Sequence, residues 1–474
     1  MKKTILVTLT VIVMYALVAC GSNSTTTMQS ALEKEEPALQ YSVKGHPTYI
    51  TIGCEQFSTA LTDISIRARE LSNDDITDIR YMTSLTQLNL SYHDISDLSP
   101  LAYLTNLTEL ELRGIAAKDL TPLASLTNLT DLSISILYPD TDITPLADLI
   151  NLTSLNIDIL HLSDTDISPL KSLENLTYFH MNLRGTKNGD ISMLAGHTAL
   201  TSLYIIYDGV SDIRPLAGLS NLTTLDLFNN NIRDITPLSG LTNLTHLVLS
   251  FNPISNLSPL ANLTNLEVLH IINTGLALSD ISPLADLTNL THLSLHSNSI
   301  YDISPLAGLR NLISLNLHSN PIYDISPLTG LTNLQGLDLA STNRISDISA
   351  LADLTNLRSL VIYNNHITDI TPLAGLVNLE RLSLRGNQLT CVAPLSGLHA
   401  LETISLRNNP IADLSQIPYW VWSDINNDGV SGRITVRTGV IVCRIVVSAL
   451  ILFVIISMLA RITKRRNVLS LDFF

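Results

Sequence analysis

Aromatic side chains are scarce in this chain. Only 5% of its 474 residues are aromatic although 46% are hydrophobic, so aliphatic side chains, above all leucine, must fill whatever core it builds. Cysteine is scarcer still: Cys20, Cys54, Cys391 and Cys443 make neither a disulfide framework nor a Cys-x-x-Cys metal pattern. Cys54 and Cys391 are expected to be small buried residues near opposite ends of a linear array, beyond the ~4.4–6.8 Å Cα separation of a disulfide. Basic charge is short as well. The formal net charge is −15, and setting aside Lys2, Lys3 and everything from Arg433 onward leaves residues 21–432 with 18 basic and 41 acidic groups, a net of −23. Such a body repels phosphates, which excludes nucleic acid as a partner. Also absent are Gly-x-Ser-x-Gly, the phosphate-binding Gly-x-x-x-x-Gly-Lys loop, Gly-x-Gly-x-x-Gly and His-Glu-x-x-His, so no enzyme chemistry is expected.

Both ends carry membrane signals. Residues 1–19 have Lys2 and Lys3 before an apolar run from Ile5 to Ala19, the layout of a secretory signal peptide. The run Leu17, Val18, Ala19, Cys20 and Gly21 resembles the lipobox of bacterial lipoproteins. The resemblance implies a lipidated Cys20 as first residue of the mature chain; the alternative is a membrane helix with an incidental cysteine. Residues 20–48, rich in Ser and Thr over Ser22–Ser30, read as a flexible tether. Val440–Ala460 is apolar except for Arg444 and long enough at ~1.5 Å per residue to cross a ~30 Å hydrocarbon core. Arg461, Lys464, Arg465 and Arg466 follow it, which places 461–474 in the cytoplasm by the positive-inside rule. The expected location is the bacterial cell membrane, with residues 21–435 outside.

Between these ends the chain repeats. A leucine of the Leu-Thr-Asn-Leu unit recurs from Leu85 to Leu401 at intervals of 22, 23 or 24 residues, and a looser copy begins at Leu61, so about 16 repeats fill 61–417. In one clean copy Leu247 and Leu249 alternate with outward residues, as on a short strand, while Leu244, Ile254, Leu257 and Leu260 return inward. One unit cannot bury its own apolar edge, so the units must stack into a continuous core with a parallel sheet. An asparagine recurs after the strand, at Asn230, Asn252, Asn298, Asn320, Asn365, Asn387 and Asn409, where its amide can bond a buried turn on both sides. Ser/Thr-Pro-Leu steps, as at Pro100, Pro237, Pro305 and Pro372, and the short period predict a convex side of 3₁₀ turns or extended chain. The periodic acids Asp97, Asp212, Asp234, Asp302, Asp324 and Asp369 read as turn residues, and the Asn-Leu-Thr sequons at Asn106, Asn128 and Asn243 as by-products of the repeat. Residues 49–60 are expected to cap the first repeat, and Ile417, Trp420 and Trp422 the last.

These residues resemble the leucine-rich-repeat family, and Asn298–Leu306 is most similar to the internalin-type bacterial subclass. The resemblance covers roughly residues 50–417. It implies a horseshoe solenoid with a parallel sheet on its concave face, and a protein ligand gripped there. Neither an immunoglobulin-like domain nor a Leu-Pro-x-Thr-Gly sorting signal follows the repeats, so host-cell invasion does not carry over.

The concave positions lie two, four and six residues after each repeat leucine. They are acidic early (Glu109, Glu111, Asp131, Asp158) and basic late (Tyr363, Arg381, Arg385, Arg407). In the middle they hold Tyr178, His180, Tyr204, Ile206, Phe228, His246, Val248, His270, Ile272, His292, His296 and His318. Aromatic and apolar side chains exposed side by side mark a contact surface, so the partner is expected on the middle repeats; the alternative is a solvated sheet of β-favouring residues. His296 and His318 share a column, with His270 and His292 nearby, and no carboxylate is interleaved among them in sequence. A shared metal, a pH-sensitive contact and independent exposed histidines all remain open there.

Within residues 418–439, the run Asp424, Asn426, Asp428 and Gly429 resembles the first half of a calcium loop, but Thr435 stands where a bidentate carboxylate belongs. Calcium is thus the one cofactor suggested, as a weak site or a remnant. Three roles fit the whole: a cell-surface module binding a protein, a membrane signalling ectodomain, and an envelope lipoprotein binding polysaccharide.

Overall fold

The computed structural model describes residues 46–412 and 422–423, except 67–70, 139–140, 161–165, 185–188, 208 and 276–277. Sixteen parallel strands, from Asp63–Ser65 to Thr403–Ser405, follow one another in chain order, and the two-residue strand Trp422–Ser423 pairs with the last. Among the described residues no pairing joins the first strand to the last, so the sheet is open. An antiparallel hairpin, Tyr49–Ile52 with Glu55–Ser58, precedes it and buries Ile50 and Ile52 against the first repeat. Ile417 and Trp420 lie outside the described residues.

Register follows the sequence repeat: Leu225, Leu247, Leu269 and Leu293 stand in one column, all pointing into the core. The convex side is a single 3₁₀ turn per repeat, most with proline at its start. In most repeats the aspartate before the turn accepts a backbone hydrogen bond two residues on, as Asp97 does from Ser99 and Asp302 from Ser304, and Asn256 does the same from Ser258. The hydroxyl of the threonine two residues on, and secondly that backbone bond, hold the Asp119, Asp234 and Asp369 carboxyls below the usual range. For Asp212 the Arg214 guanidinium is the main cause, and its pKa falls to about 2. A carboxyl depressed by folding stabilises the fold above its unfolded pKa of ~3.9 and ceases to do so as pH falls.

Side-chain ladders lock the stack. Asn320 sits 2% exposed, with Nδ2 donating to the Leu295 and Leu317 carbonyls at 2.9 Å and Oδ1 accepting from Ile300 N–H at 3.1 Å. Asn252, Asn387 and Asn409 repeat the pattern. A second asparagine ladder runs outside. Each sequon amide donates to the carbonyl of the preceding repeat, as Asn106 does to Thr83, Asn128 to Thr105 and Asn243 to Ser220. The nitrogen a glycan would modify is therefore already a rung. A third ladder joins threonine hydroxyls to the carbonyl one repeat back, from Thr86 to Thr245.

Two details depart from the repeat. Cys54 and Cys391 are exposed rather than buried; Cys54 lies at the hairpin turn, and Cys391 at a convex-side position where other repeats place polar residues. His197 replaces a leucine of the convex core column between Leu173 and Leu219, is 1% exposed, and has backbone carbonyls near its ring but none placed to close a well-formed hydrogen bond at either nitrogen. Burial lowers its pKa, and the Leu170 and Leu194 carbonyls offset this only in part. The fold therefore favours the neutral ring, and its stability falls as pH drops below the unfolded value of ~6.5. His197→Leu should raise stability at pH 7.5 by about 1–3 kcal/mol, the cost of an unpaired buried polar group, and by more at pH 5. Thermal unfolding at both pH values checks this; an advantage that does not widen on acidification sinks the assignment.

Candidate functional site

Every middle-repeat residue expected on the concave face lies there, exposed or half-buried, and the register sorts them into columns. Tyr178 and Tyr204 stack tilted at 5.5 Å between centroids, and His180 meets Tyr204 edge-on at 5.8 Å. His246 and His292 occupy one column with Val268 between them, each bonded through Nδ1 to the threonine hydroxyl before it. Val248 and His270 are neighbours in the next column, and Ile272 continues the strand line beyond. Phe228 does not join the tyrosines.

Phe228 instead packs between two residues that the alternation rule placed off the face. Tyr207 and Phe251 meet its ring at 5.3 and 5.1 Å, and they are 42% and 39% exposed. Both sit seven residues after their repeat leucine, the corner where the chain leaves the strand. Their N–H groups donate to the next repeat, to Phe228 and Ile272 carbonyls, and this bond requires a left-handed backbone, with φ of 64° and 58°. Other repeats supply residues that tolerate it, Asn229, Asn273, Asn364, Asn408 and Gly386. An aromatic there is strained. The signal was present in the sequence: a Tyr or Phe in a column otherwise filled by Asn, Gly and Ser, although Tyr92 in an early repeat shares it.

The histidines form a partial cluster. His296 and His318 meet edge-on at 6.1 Å, and Tyr363 reaches back over the small Ala340 to place its hydroxyl 3.4 Å from His318 Nδ1. One carboxylate does join them, against the sequence reading: Asp338 Oδ1 lies 3.9 Å from His318 Nδ1, because it projects from the strand between those of His318 and Tyr363. Among the described residues no three His, Cys, Asp or Glu side chains form a metal cage. Burial lowers the pKa of His270 and His296, each helped by a neighbouring histidine, and burial also lowers His180. Burial raises Asp226 and Asp338. The centre of the face thus disfavours charge, as a surface suited to dry contact does.

Its two ends are charged. Asp63, Gln87, Glu109, Glu111 and Asp131 line a shallow depression of about 330 Å³. At the far end Arg385 and Arg407 adjoin in neighbouring repeats, with Arg381 on the same strand line as Arg385.

A family model for leucine-rich repeats matches residues 198–240, 242–286, 288–330, 310–353, 332–375 and 377–419. No curated protein matches the sequence. Among solved structures, the internalin InlF of Listeria monocytogenes is 32% identical over 74% of this chain and 89% of its own, with a TM-score of 0.52. The chain belongs to the internalin-type leucine-rich-repeat proteins. The functional domain of InlJ from the same organism, which includes a cysteine ladder, is 26% identical over 72% of each chain, TM-score 0.59. This internalin-type chain builds its ladders from asparagine and threonine instead. The plant peptide hormone receptor RGFR1, in complex with RGF2, shares the fold at 19% identity, TM-score 0.57, over 78% of this chain and 67% of its own. Cys20, residues 440–460, and Asp424, Asn426 and Asp428 lie outside the described residues. Among the described residues no helix is long and apolar enough to cross a membrane.

Proposed function

We propose that this internalin-type chain is a cell-surface recognition protein that binds a protein partner on the concave face of its middle repeats. The observation that carries the reading is the run of aromatic rings from Tyr178 to Phe251, in touching groups and half-buried or exposed along the face, with two of them held in a strained backbone. A monomer gains nothing from keeping such side chains wet, and aromatic anchors are what interface centres are made of. The site is a binding surface and involves no catalysis. Its location follows from the ends of the sequence: Cys20 as lipid anchor and 440–460 as a second, helical one, with the repeats outside the cell. Calcium at Asp424, Asn426 and Asp428 would stiffen the link between repeats and membrane.

The test is capture from envelope and host-cell surface extracts by the full chain, beside a variant carrying Tyr204→Ala, Phe228→Ala, His270→Ala and His292→Ala. A protein retained by the parent and lost by the folded variant supports the reading; retention by both moves the site off this face. Cys20→Ala, expressed in a bacterium, should move the chain out of the lipid-modified pool, read by loss of labelled palmitate; undiminished label removes the lipid anchor.

A further inference from the structure

The concave face is sorted by charge along its length. Among the described residues its first five strands carry Asp63, Glu109, Glu111, Asp131 and Asp158 against Arg113, a net of −4, and its last two carry Arg381, Arg385 and Arg407, the last already partnered, with no acid in the concave positions, a net of +3. The arginines stand out because residues 21–432 as a whole carry −23. Glu380, on the flank beside Arg381, is already paired with Arg358 at 2.7 Å, and Glu402 follows it in that flank column. At the acidic end Arg113 lies 3.6 Å from Glu111, and Gln87 and Asn89 donate to Glu109 and Glu111, which holds those carboxylates in place without cancelling their charge. Twelve strand steps separate Glu109 from Arg381, roughly 58 Å at the usual strand spacing. That is several times the screening length of about 8 Å in physiological salt, so each end selects its own counter-charge.

We infer that the partner is a polypeptide that lies lengthwise along the face, cationic over the acidic strands, apolar at Tyr207, Phe228 and Phe251, and anionic over Arg381, Arg385 and Arg407. The inference rests on the protein-recognition reading above and adds the partner's charge order and orientation. An anionic segment laid anywhere else would meet the acidic body and be repelled; the arginine end is where such a segment is accepted. A uniformly basic partner would be rejected at that same end. The ordering therefore fixes which way round the partner docks, as complementary potentials do at interfaces.

The test uses the full chain and three fluorescent peptides: hexalysine, hexaglutamate, and one joining the two blocks through an apolar spacer of about 17 residues, which reaches that span when extended. Linked blocks that dock together gain from effective concentration, so anisotropy should show the joined peptide binding at least about ten-fold tighter than either block. Arg381→Glu, Arg385→Glu and Arg407→Glu together should abolish hexaglutamate binding and reduce the joined peptide to no tighter than hexalysine, with hexalysine bound at least as tightly as by the parent. Hexaglutamate binding that survives the reversal, or a joined peptide no tighter than its better block, overturns the inference. So does a dimer in sedimentation that the reversal dissociates, since the occupant would then be a second copy of the chain. If these fail while the aromatic variant still loses its captured protein, concave-face recognition stands and only the charge order falls.

Discussion

Replacing Tyr207 and Phe251 together by asparagine is expected to weaken partner binding by at least about 30-fold while leaving the fold as stable as the parent to within about 1 kcal/mol. The two halves of this result come from different physics. Each residue occupies a corner with positive φ, at 64° and 58°, where an L-residue other than glycine or asparagine costs roughly 1–2 kcal/mol. Asparagine holds the same corner at Asn229, Asn273, Asn364 and Asn408, so the exchange releases strain. Against this it removes the ring contacts to Phe228 at 5.3 and 5.1 Å, worth roughly 0.5–1.5 kcal/mol each. The two contributions nearly cancel. Binding has no such compensation, because truncating a central aromatic anchor costs about 2 kcal/mol or more, which is the 30-fold change. Chemical unfolding and titration of the captured partner read the two halves separately. A variant that binds as the parent does would show these rings to be ornaments of the turn; one that unfolds would show them to be structural.

The largest loss of stability is expected at Asn320→Ala. Removing that amide strips the bonding partner from Ile300 N–H and from the Leu317 carbonyl in a site 2% exposed, while the Leu295 carbonyl keeps Asn298 Nδ2 at 2.8 Å. At roughly 1–3 kcal/mol for each buried group left unpaired, the cost is about 3 kcal/mol or more. The exposed rung Asn311, which donates to the Thr288 carbonyl alone, should cost about 1 kcal/mol or less on the same change, since water replaces the lost bond. Because repeats contact only their neighbours, the damage should be local. Hydrogen exchange at the flanking amides, with urea unfolding, distinguishes the outcomes. Equal costs at Asn320 and Asn311 would mean that the inner ladder is no stronger than the outer.

Much of this architecture was legible in the sequence because leucine spacing and strand alternation act on every repeat alike. The inner asparagine ladder could be read for the same reason: an amide recurring at one step after a strand has few other uses. The outer ladder could not. Asn106 and Asn243 look like glycan acceptors until the carbonyl that each amide bonds is seen one repeat away. Cys54 was misread because small free cysteines are commonly buried, whereas this one falls on the hairpin turn. For the face, alternation placed Tyr178, Phe228 and the histidines but stopped at the strand's end, so Tyr207 and Phe251 escaped it. Asp338 escaped for another reason. Its partner His318 is 20 residues away and one strand over, and proximity across a sheet depends on register more than on sequence distance.

The rungs carry one further implication. Each reaches back a single repeat, whether from Thr223 to Thr201 or from Asn333 to Arg310, so no bond in the ladders depends on how many units there are. A whole unit can be spliced out or duplicated between Leu290 and Leu334, where Asn298 and Asn320 hold equivalent rungs, and the cut ends will meet matching donors and acceptors. Such an edit would slide the arginine patch toward or away from the carboxylates by roughly 4.8 Å per unit. Repeat number thus acts as a length gauge, setting the stride between the two charged ends of the concave face without altering either.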